Sequence, residues 1–306
     1  MTSNTDIDKI IIGKSKNVLE LKFLIEKVAK SESTVLVLGE TGTGKELVAK
    51  ALHVVSQRKG SFVPVNCAAI PAELLESELF GHEKGAFTGA VERKDGKFLA
   101  ANSGSIFLDE IGDMSPSLQA KVLRVLESGE IERVGGAETI KVDVRIISAT
   151  NQNLEERIKE GDFRQDLFHR INVFPITIPP LRDRREDIIP TTLSILKDLK
   201  KKHKLSVDFI SHSAMKILTD YSWPGNVREL ENTLERALLI NDKPLIMGDE
   251  IKAILDQKNE AEESLQIDHA KMDESFSQVI EKEDHQNSFE LVDASDEPLT
   301  LKELEK

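Results

Sequence analysis

The short segment between one predicted strand and the helix that follows limits the fold of this chain more than any other feature. Thr34–Leu38 is a continuous apolar run, typical of a buried parallel strand, and helical spacing of apolar residues extends over Lys45–Val55. The intervening spacing Gly-x-x-x-x-Gly-Lys predicts a P-loop, whose backbone N–H groups, helix N-terminus and lysine bind phosphate. A plain glycine-rich turn is disfavoured because strand, spacing, lysine and helix are all present. The predicted nucleotide-binding residues are Gly39, Glu40, Thr41, Gly42, Thr43, Gly44, Lys45 and Glu46.

Carboxylates at the end of a second strand complete the predicted nucleotide site. Glu46 stands where a Ser or Thr hydroxyl usually ligates magnesium, so other groups must hold the metal. Asp109 and Glu110 follow the apolar strand candidate Ser105–Leu108. We predict that Asp109 holds a hydrated Mg²⁺ ion and that Glu110 orients the attacking water. A strand that simply ends in solvated acids is the alternative. These residues predict hydrolysis of ATP or GTP and do not distinguish between adenine and guanine nucleotides.

Four polar residues further along the chain give weaker signals. Asn151 follows a predicted strand and could place its amide near the γ-phosphate. Arg164 and Arg170 lie six residues apart, and Arg228 begins a predicted helix. A structural ion pair explains each arginine taken singly, but beside a P-loop they suggest fingers that stabilise charge during phosphoryl transfer.

Strands and helices alternate over the first 180 residues, which predicts a parallel sheet covered by helices on both faces. The further strand candidates are Phe62–Val65, Val142–Ala149 and Val173–Ile178. The further helical patterns are Asn17–Lys30, Ala72–Leu79, Pro116–Glu127 and Leu154–Lys159. After Pro179-Pro180 no strand candidate occurs, and three helices are predicted at Asp187–Lys201, Ser211–Tyr221 and Asn226–Ile240.

Acidic residues are concentrated near the C-terminal end. The net charge is −13, and residues 249–306 hold 18 acidic and 6 basic side chains. No basic stripe of the kind that binds nucleic acid occurs, and from about Lys258 the composition predicts disorder. The predicted organisation is a short N-terminal extension (1–12), an α/β nucleotide-binding domain (13–180), a small all-helical domain (181–256) and an acidic tail (257–306).

Cysteine usage and hydropathy predict a cytoplasmic protein. Cys67 is the single cysteine, so an intrachain disulfide is impossible, and no apolar run approaches the length of a membrane span. The 7 histidines show no spacing typical of metal ligands, so we expect no structural zinc.

The stretch Gly85-Ala-Phe-Thr-Gly-Ala90 resembles an exposed loop that contacts a partner. Gly85 and Gly89 permit backbone conformations that other residues avoid, and Phe87 is a lone aromatic between small residues. The alternative is a surface loop of small residues, because single exposed apolar side chains are common. From the residues alone the two interpretations are equally favoured. The predicted contact residues are Gly85, Ala86, Phe87, Thr88, Gly89 and Ala90.

Together these motifs resemble the central AAA+ ATPase domain of sigma-54-dependent transcriptional activators, the bacterial enhancer-binding proteins. The resemblance extends from about Ile12 to Asp249. The 85–90 loop is nearly diagnostic of that family, whereas many NTPases share the P-loop. The matching stretches are Gly39–Glu46, Glu78–Ala90, Ile106–Gly112, Glu132–Gly136, Val144–Asn151, Phe163–Asn172 and Trp223–Leu230. The resemblance implies an AAA+ P-loop NTPase core with a small helical lid.

The resemblance also implies roles for individual residues. Lys45 would bind the β- and γ-phosphates of ATP, and Glu46 is common in this family. Asp109 would coordinate Mg²⁺, Glu110 would activate water, and Asn66 would hold Glu110 until the nucleotide state changes. The remaining implied roles are a γ-phosphate sensor at Thr150 and Asn151, arginines offered to a neighbouring subunit at Arg164 and Arg170, and a second sensor at Arg228.

Similar proteins form hexameric rings, and the resemblance implies the same for this chain. The 85–90 loop would project from the ring, and Phe87 and Thr88 would touch sigma-54 so that ATP hydrolysis opens the promoter complex of its RNA polymerase. The stretch from Glu127 to Gly136 resembles a second loop on the pore side of the ring. A hairpin joining Ile131 to Val142 is equally compatible with that stretch.

Two family features are not expected here. The dozen residues before the ATPase are too few for a regulatory module, and the acidic tail lacks a helix-turn-helix, so promoter DNA would be contacted only indirectly. A truncated product and an activator without its own DNA anchor both fit. Two other functions stay open, a nucleotide-dependent oligomer that binds sigma factor without remodelling it, and an AAA+ motor acting on another substrate.

Overall fold

The computed structural model describes residues 3–203, 209–240, 245–258 and 260. Its named helices are α1 (Ser3–Ile10), α2 (Lys16–Ala29), α3 (Lys45–Ser56), α4 (Ala72–Phe80), α5 (Lys97–Ala100), α6 (Pro116–Ser128), α7 (Leu154–Glu160), α8 (Gln165–Ile171), α9 (Ile188–His203), α10 (His212–Asp220) and α11 (Asn226–Ile240). Its strands are β1 (Val35–Leu38), β2 (Phe62–Asn66), β3 (Gly81–His82), β4 (Lys94–Asp95), β5 (Ser105–Asp109), β6 (Glu130–Glu132), β7 (Thr139–Lys141), β8 (Arg145–Thr150), β9 (Phe174–Thr177), β10 (Phe209–Ile210) and β11 (Leu245–Ile246). Short 3₁₀ turns occur at Ile111–Asp113, Leu181–Asp183 and Arg185–Asp187.

A five-stranded parallel sheet in the order β2-β5-β8-β1-β9 forms the centre of the fold. Strand β8 is buried at every position, as expected for a strand covered on both faces. Two apolar clusters cover the sheet. One contains residues of α4, α5, α6 and α8, and the other contains residues of α1, α2 and α3. The predicted parallel sheet between helices is confirmed.

The parallel arrangement brings the carboxyl ends of the central strands to one edge of the sheet. Leu38 pairs with Thr150 at the ends of β1 and β8, and Asn66 pairs with Asp109 at the ends of β2 and β5. Ligands of open parallel sheets bind at this edge, because loops and helix N-termini meet there. The segments that follow β1, β5 and β8 are therefore close together.

The helical part after residue 180 differs from the prediction in one respect. Two-residue strands β10 and β11 pair in parallel, so this part is not free of strands. Trp223 in this part is fully buried and donates its indole N–H to the carbonyl of Leu218 at 2.7 Å. The predicted domain boundaries at residues 12, 180 and 256 stay a prediction.

The sheet and the named helices belong to one compact unit, which extends to Lys252. Most of the predicted acidic tail lies outside the described residues. Among the described residues, no helix combines the length and hydropathy needed to span a lipid bilayer.

Candidate functional site

The P-loop connects the end of β1 to the start of α3. Its glycines Gly42 and Gly44 have φ angles of +79° and +101°, a region that L side chains rarely adopt. Gly44 is the N-cap of α3, so the unpaired N–H groups of the first helical turn open toward the loop. The local geometry is that of an anion-binding concavity.

Lys45 contacts the predicted catalytic carboxylate. Its ammonium group donates to the carbonyl of Gly39 at 3.2 Å and to Oε1 of Glu110 at 3.1 Å. The Lys45 side chain is 6% exposed and that of Glu110 is 15% exposed, so water screens this pair less than a surface pair. Residues that are 65 positions apart in sequence thus meet at the edge of the sheet.

Several carboxylates lie close to Lys45. Burial, together with the neighbouring charge of Glu110, raises the pKa of Asp109, and Glu46 contributes in the same direction. Lys45 opposes this rise of the pKa of Asp109. Carboxylates that repel one another in a half-buried position favour binding of a divalent cation, which neutralises them.

The predicted sensor residue contacts both Glu110 and the P-loop. The backbone N–H of Asn151 donates to Oε2 of Glu110 at 3.2 Å, and its side-chain amide donates to the hydroxyl of Thr41 at 3.0 Å. Asn66 has other partners, because its Oδ1 atom accepts from the N–H groups of Ala68 and Ala69 at 3.0 Å. The implied role of Asn66 in holding Glu110 stays a prediction.

A cavity of about 350 Å³ joins most of the predicted site residues. Lys45, Glu46, Asp109 and Glu110 line it on the sheet side, and Arg228 lines it on the side of α11. Asn66 also faces this cavity. The structure therefore brings together residues from four segments that the sequence predicted separately: the P-loop, Asn66, the Asp109-Glu110 pair and Arg228.

The two predicted finger arginines do not line this cavity. Arg164 pairs with Asp166 at 2.6 Å and Arg170 pairs with Glu127 at 3.3 Å, and both side chains are exposed. The hydrogen bond that Arg164 donates to the Asp166 carboxylate raises the pKa of Arg164. Their position is compatible with a role at a second subunit, which stays a prediction.

Sequence reasoning missed a second cavity of about 420 Å³ beside the P-loop. The apolar residues Ile10–Ile12 line it on one side, and Thr43, Gly44 and Arg184 line it on another. The run of three isoleucines before Gly13 was the available signal. An apolar cavity next to a phosphate-binding loop has the character expected of a site for a nucleotide base.

The connection between β9 and α9 is a further part of the site that the sequence did not reveal. Asp187 is fully buried and accepts hydrogen bonds from the N–H groups of Lys14 and Ser15 at 2.6 and 2.9 Å. It thereby fixes the segment that follows the isoleucine run. Arg182, in the same connection, pairs with Glu40 of the P-loop at 2.5 Å. Hydrogen bonds from Arg182 and Asn226 lower the pKa of Glu40 to about 2.

The predicted contact loop lies between β3 and β4. Gly85 and Gly89 have φ angles of +84° and +104°, and a Cβ atom at either would meet nothing within 4 Å. Their positive φ angles, and not steric crowding, favour glycine here. Phe87 is 40% exposed, and its ring meets the ring of His82 edge-on with 5.0 Å between the centroids.

A hairpin formed by β6 and β7 supports the base of this loop. It agrees with the hairpin interpretation of this stretch, and the pore-side interpretation, which it does not exclude, stays a prediction. The N–H of Glu83 donates to the carbonyl of Val134 at 3.0 Å, and the N–H of Val134 donates to the carbonyl of Gly81 at 2.9 Å. Arg133 is buried and pairs with Asp95 at 2.9 Å and Glu83 at 3.4 Å. The hairpin and the loop are therefore connected.

Replacing Arg133 by leucine is expected to destabilise the protein by about 1–3 kcal/mol, because it removes the buried guanidinium that pairs with Asp95, Glu83 and Glu138. Nucleotide affinity should not change, because Arg133 does not line either cavity. Urea unfolding measures the first quantity and a nucleotide titration the second. Wild-type stability in the R133L variant would contradict the role given to this ion pair.

Comparison with known proteins identifies two matching families. Residues 11–177 match the Sigma-54 interaction domain, and residues 182–267 match the AAA+ ATPase lid domain. The chain is 52% identical over 242 residues to a Nif-specific regulatory protein of Klebsiella pneumoniae, covering 79% of this chain and 46% of that protein. It is 54% identical over 226 residues to Regulatory protein AtoC of Escherichia coli (strain K12), covering 74% and 49%. The chain spans about half the length of these relatives.

Solved structures of NtrX from Brucella abortus have the same fold. The ADP complex is 42% identical with a TM-score of 0.73, and the match covers 80% of this chain and 55% of that chain. The ATP complex is 43% identical with a TM-score of 0.72, and the match covers 78% and 53%. With the lid match, these structures confirm the predicted α/β AAA+ core with a small helical lid.

Proposed function

Since this chain belongs to the family of sigma-54-dependent transcriptional activators, we propose that it hydrolyses ATP and uses the energy to remodel sigma-54 RNA polymerase from the closed to the open promoter complex. The observation that carries the proposal is the cavity in which Lys45, Asp109, Glu110 and Arg228 face one another. Phe87 is exposed on a loop whose residues do not line that cavity, so a partner could contact the loop without entering the nucleotide site.

The contacts of Glu110 support its assignment as the group that activates water. Its carboxylate bridges Lys45 and the N–H of Asn151. A γ-phosphate would attract the same two groups, because the Lys45 ammonium carries a positive charge and the N–H of Asn151 is a hydrogen-bond donor. Binding of ATP would therefore release Glu110 toward the attacking water.

The carboxylates of the site fit Mg²⁺. Asp109 would hold the ion. Burial first, and then the neighbouring charge of Glu110, raises the pKa of Asp109, and a divalent cation would neutralise the negative charge of the two carboxylates. Mg²⁺ bound with ATP would supply positive charge to the developing negative charge on the phosphates. Lys45 and the N–H groups of the P-loop bind those phosphates in the proposal.

Adenine nucleotides are the proposed ligands for two reasons. Related NtrX structures were solved with ADP and with ATP. The apolar cavity lined by Ile10–Ile12 adjoins Thr43 and Gly44 of the P-loop, so a base placed there leaves its phosphates at the loop. The proposed nucleotide-binding residues are those from Gly39 to Glu46, with Asn151 and Arg228.

The proposed contact with sigma-54 is the 85–90 loop. Among the described residues the ring partner of Phe87 is His82, which covers its apolar surface in part. Gly85 and Gly89 allow the loop to change conformation. Residues Ala86, Thr88 and Ala90 complete the contact in the proposal. A loop held at its base by an ion pair can transmit a movement of the core to its tip.

The proposal requires a homo-oligomer, with a hexameric ring as the expected form. Arg164 and Arg170 lie outside the cavity of their own chain, so they can act as fingers only at the site of a neighbour. Phosphate release per subunit is therefore expected to rise with protein concentration. Turnover per subunit that stays constant over the range in which the protein assembles would contradict this requirement.

Mixing two inactive variants tests the arginines more sharply. Lys45→Ala removes the phosphate-binding lysine, and Arg170→Ala removes a finger but keeps the nucleotide site. In a mixed ring, a site is complete when an R170A subunit binds ATP and a K45A neighbour supplies Arg170, so random mixing is expected to restore about a quarter of wild-type turnover. Each variant alone at the same total concentration is the control. A mixture as inactive as its components would contradict action in trans.

A further inference from the structure

The P-loop presents its backbone carbonyls to residues after position 180. The carbonyl of Thr41 accepts from the side-chain amide of Asn226 at 3.1 Å. The carbonyl of Thr43 accepts from Nη2 of Arg184 at 3.1 Å. Between them, the carbonyl of Gly42 accepts from the N–H groups of Val227 and Arg228 at 3.0 and 3.3 Å. Three consecutive carbonyls of the phosphate-binding loop thus accept hydrogen bonds from residues that follow position 180.

Asn226 is built into this contact by its own backbone. It is fully buried at the start of α11 and has a φ angle of +55°, a conformation that asparagine tolerates better than most residues. Its Oδ1 atom accepts from the N–H of Leu181 at 2.8 Å. Its Nδ2 atom donates to Oε2 of Glu40 at 3.1 Å as well as to Thr41. Both ends of the amide are therefore used.

The N-terminus of α11 lies directly against the loop. Backbone N–H groups in a first helical turn have no partner inside the helix, and here the carbonyl of Gly42 supplies one. The approach is close, because a Cβ atom at position 42 would lie 2.3 Å from the carbonyl oxygen of Gly225. Glycine at position 42 is thus required by the contact with the lid as well as by its φ angle.

Arg184 supplies the third donor from a buried position. Its side chain is 5% exposed, and its Nε atom has no hydrogen-bond partner among the described residues. A buried guanidinium gains stability from each acceptor it finds, so the carbonyl of Thr43 is a favourable partner for it. Arg184 also lines the apolar cavity beside the P-loop.

The direction of these carbonyls fixes the direction of the neighbouring N–H groups. In a planar trans peptide the C=O of one residue and the N–H of the next point to opposite sides. When Asn226 holds the carbonyl of Thr41 outward, the N–H of Gly42 points inward. In the same way Arg184, through Thr43, directs the N–H of Gly44. Inward N–H groups are the ones that bind phosphate.

We propose that Asn226 and Arg184 are positioning residues that hold the P-loop in its phosphate-binding conformation through the carbonyls of Thr41 and Thr43. The inference rests on the proposed binding of nucleotide. It gives the lid a function in the first binding step, before hydrolysis, and it assigns that function to residues that do not themselves contact phosphate.

Asn226→Asp is the sharpest variant. It keeps the acceptor for the N–H of Leu181, removes the donor to Thr41, and places a second carboxylate next to Glu40. The affinity for ADP, measured by isothermal titration calorimetry, is expected to fall about tenfold. ADP is the probe because it is not hydrolysed, so the titration measures binding alone. The apparent KM for ATP should rise by a similar factor, while kcat at saturating ATP should change much less.

Arg184→Met tests the second positioning residue, and Leu234→Ala is the control for a general loss of stability in the lid. Arg184→Met removes the donor to Thr43 with little change in volume, and it should weaken ADP binding in the same way. Leu234→Ala removes a buried side chain of α11 without reaching the P-loop, so it should lower the unfolding midpoint and leave ADP affinity unchanged. Wild-type ADP affinity in folded N226D or in R184M would overturn the inference, as would an equal loss in L234A. A wild-type protein that binds no ADP would instead overturn the proposed function.

Discussion

Glu110→Gln is expected to reduce ATP turnover by about 10²–10⁴-fold, because the amide cannot accept a proton from the attacking water. Nucleotide should still bind. Glu110 is paired with Lys45, and a neutral amide would compete with phosphate for the lysine less strongly than the carboxylate does. Affinity for ATP is therefore expected to equal or exceed that of the wild type. Steady-state phosphate release and a binding titration measure the two quantities.

Asp113→Asn provides a matched control for this variant. Asp113 is an exposed carboxylate three residues further on, it accepts from the amide of Gln152 at 2.7 Å, and it does not line the cavity of about 350 Å³. Its neutralisation should leave turnover within about twofold of the wild type, as is usual for surface changes. If E110Q retained wild-type turnover, another group would have to activate the water and the assignment of Glu110 would be wrong.

Phe87→Ala is expected to abolish open-complex formation while ATP turnover stays close to the wild-type value. The side chain is on an exposed loop, and its ring contact is with His82 rather than with any residue of the nucleotide cavity. Apolar and aromatic side chains of this kind often carry most of the affinity of a contact with a partner. Promoter opening by sigma-54 RNA polymerase and phosphate release should be measured on the same preparation. Thr88→Ala is expected to act in the same direction.

Val91→Ala is the control for Phe87→Ala. Val91 is 73% exposed and lies just beyond the loop, so its truncation removes apolar surface without changing the 85–90 segment. We expect this variant to open promoters normally. Loss of both activities in F87A, or of neither, would count against a specific contact between the loop and sigma-54.

Local sequence signals were sufficient for the core of the fold and of the site. The P-loop could be predicted because its spacing, its preceding strand and its following helix all lie within about twenty residues and obey one geometry. Asp109 and Glu110 were predictable because the carboxyl ends of parallel strands meet at one edge of the sheet. Arg228 was a weak signal in the residues, and the family resemblance supplied its role as a second sensor. Its place in the cavity follows from the packing of α11 against the loop.

The contacts between distant segments could not be predicted in this way. Arg182 and Glu40 are 142 residues apart, and Asn226 and Thr41 are 185 apart. Nothing in the local pattern of either segment indicates that they meet. The strands β10 and β11 have two residues each, too few for any periodicity to mark them. Asp187 resembled an ordinary helix-start residue in sequence, and only the fold places its carboxylate on Ser15.

The central claim, that ATP hydrolysis in this chain drives promoter opening through the 85–90 loop, is tested most directly by one measurement. Permanganate reactivity of a sigma-54 promoter can be followed with sigma-54 RNA polymerase and this protein, with ATP or with a non-hydrolysable analogue, in the presence and absence of enhancer DNA. The account predicts reactive, single-stranded promoter DNA with ATP and none with the analogue. Two results would contradict it. One is equal promoter opening with the analogue, and the other is no promoter opening, with or without enhancer DNA, while ATP is being hydrolysed.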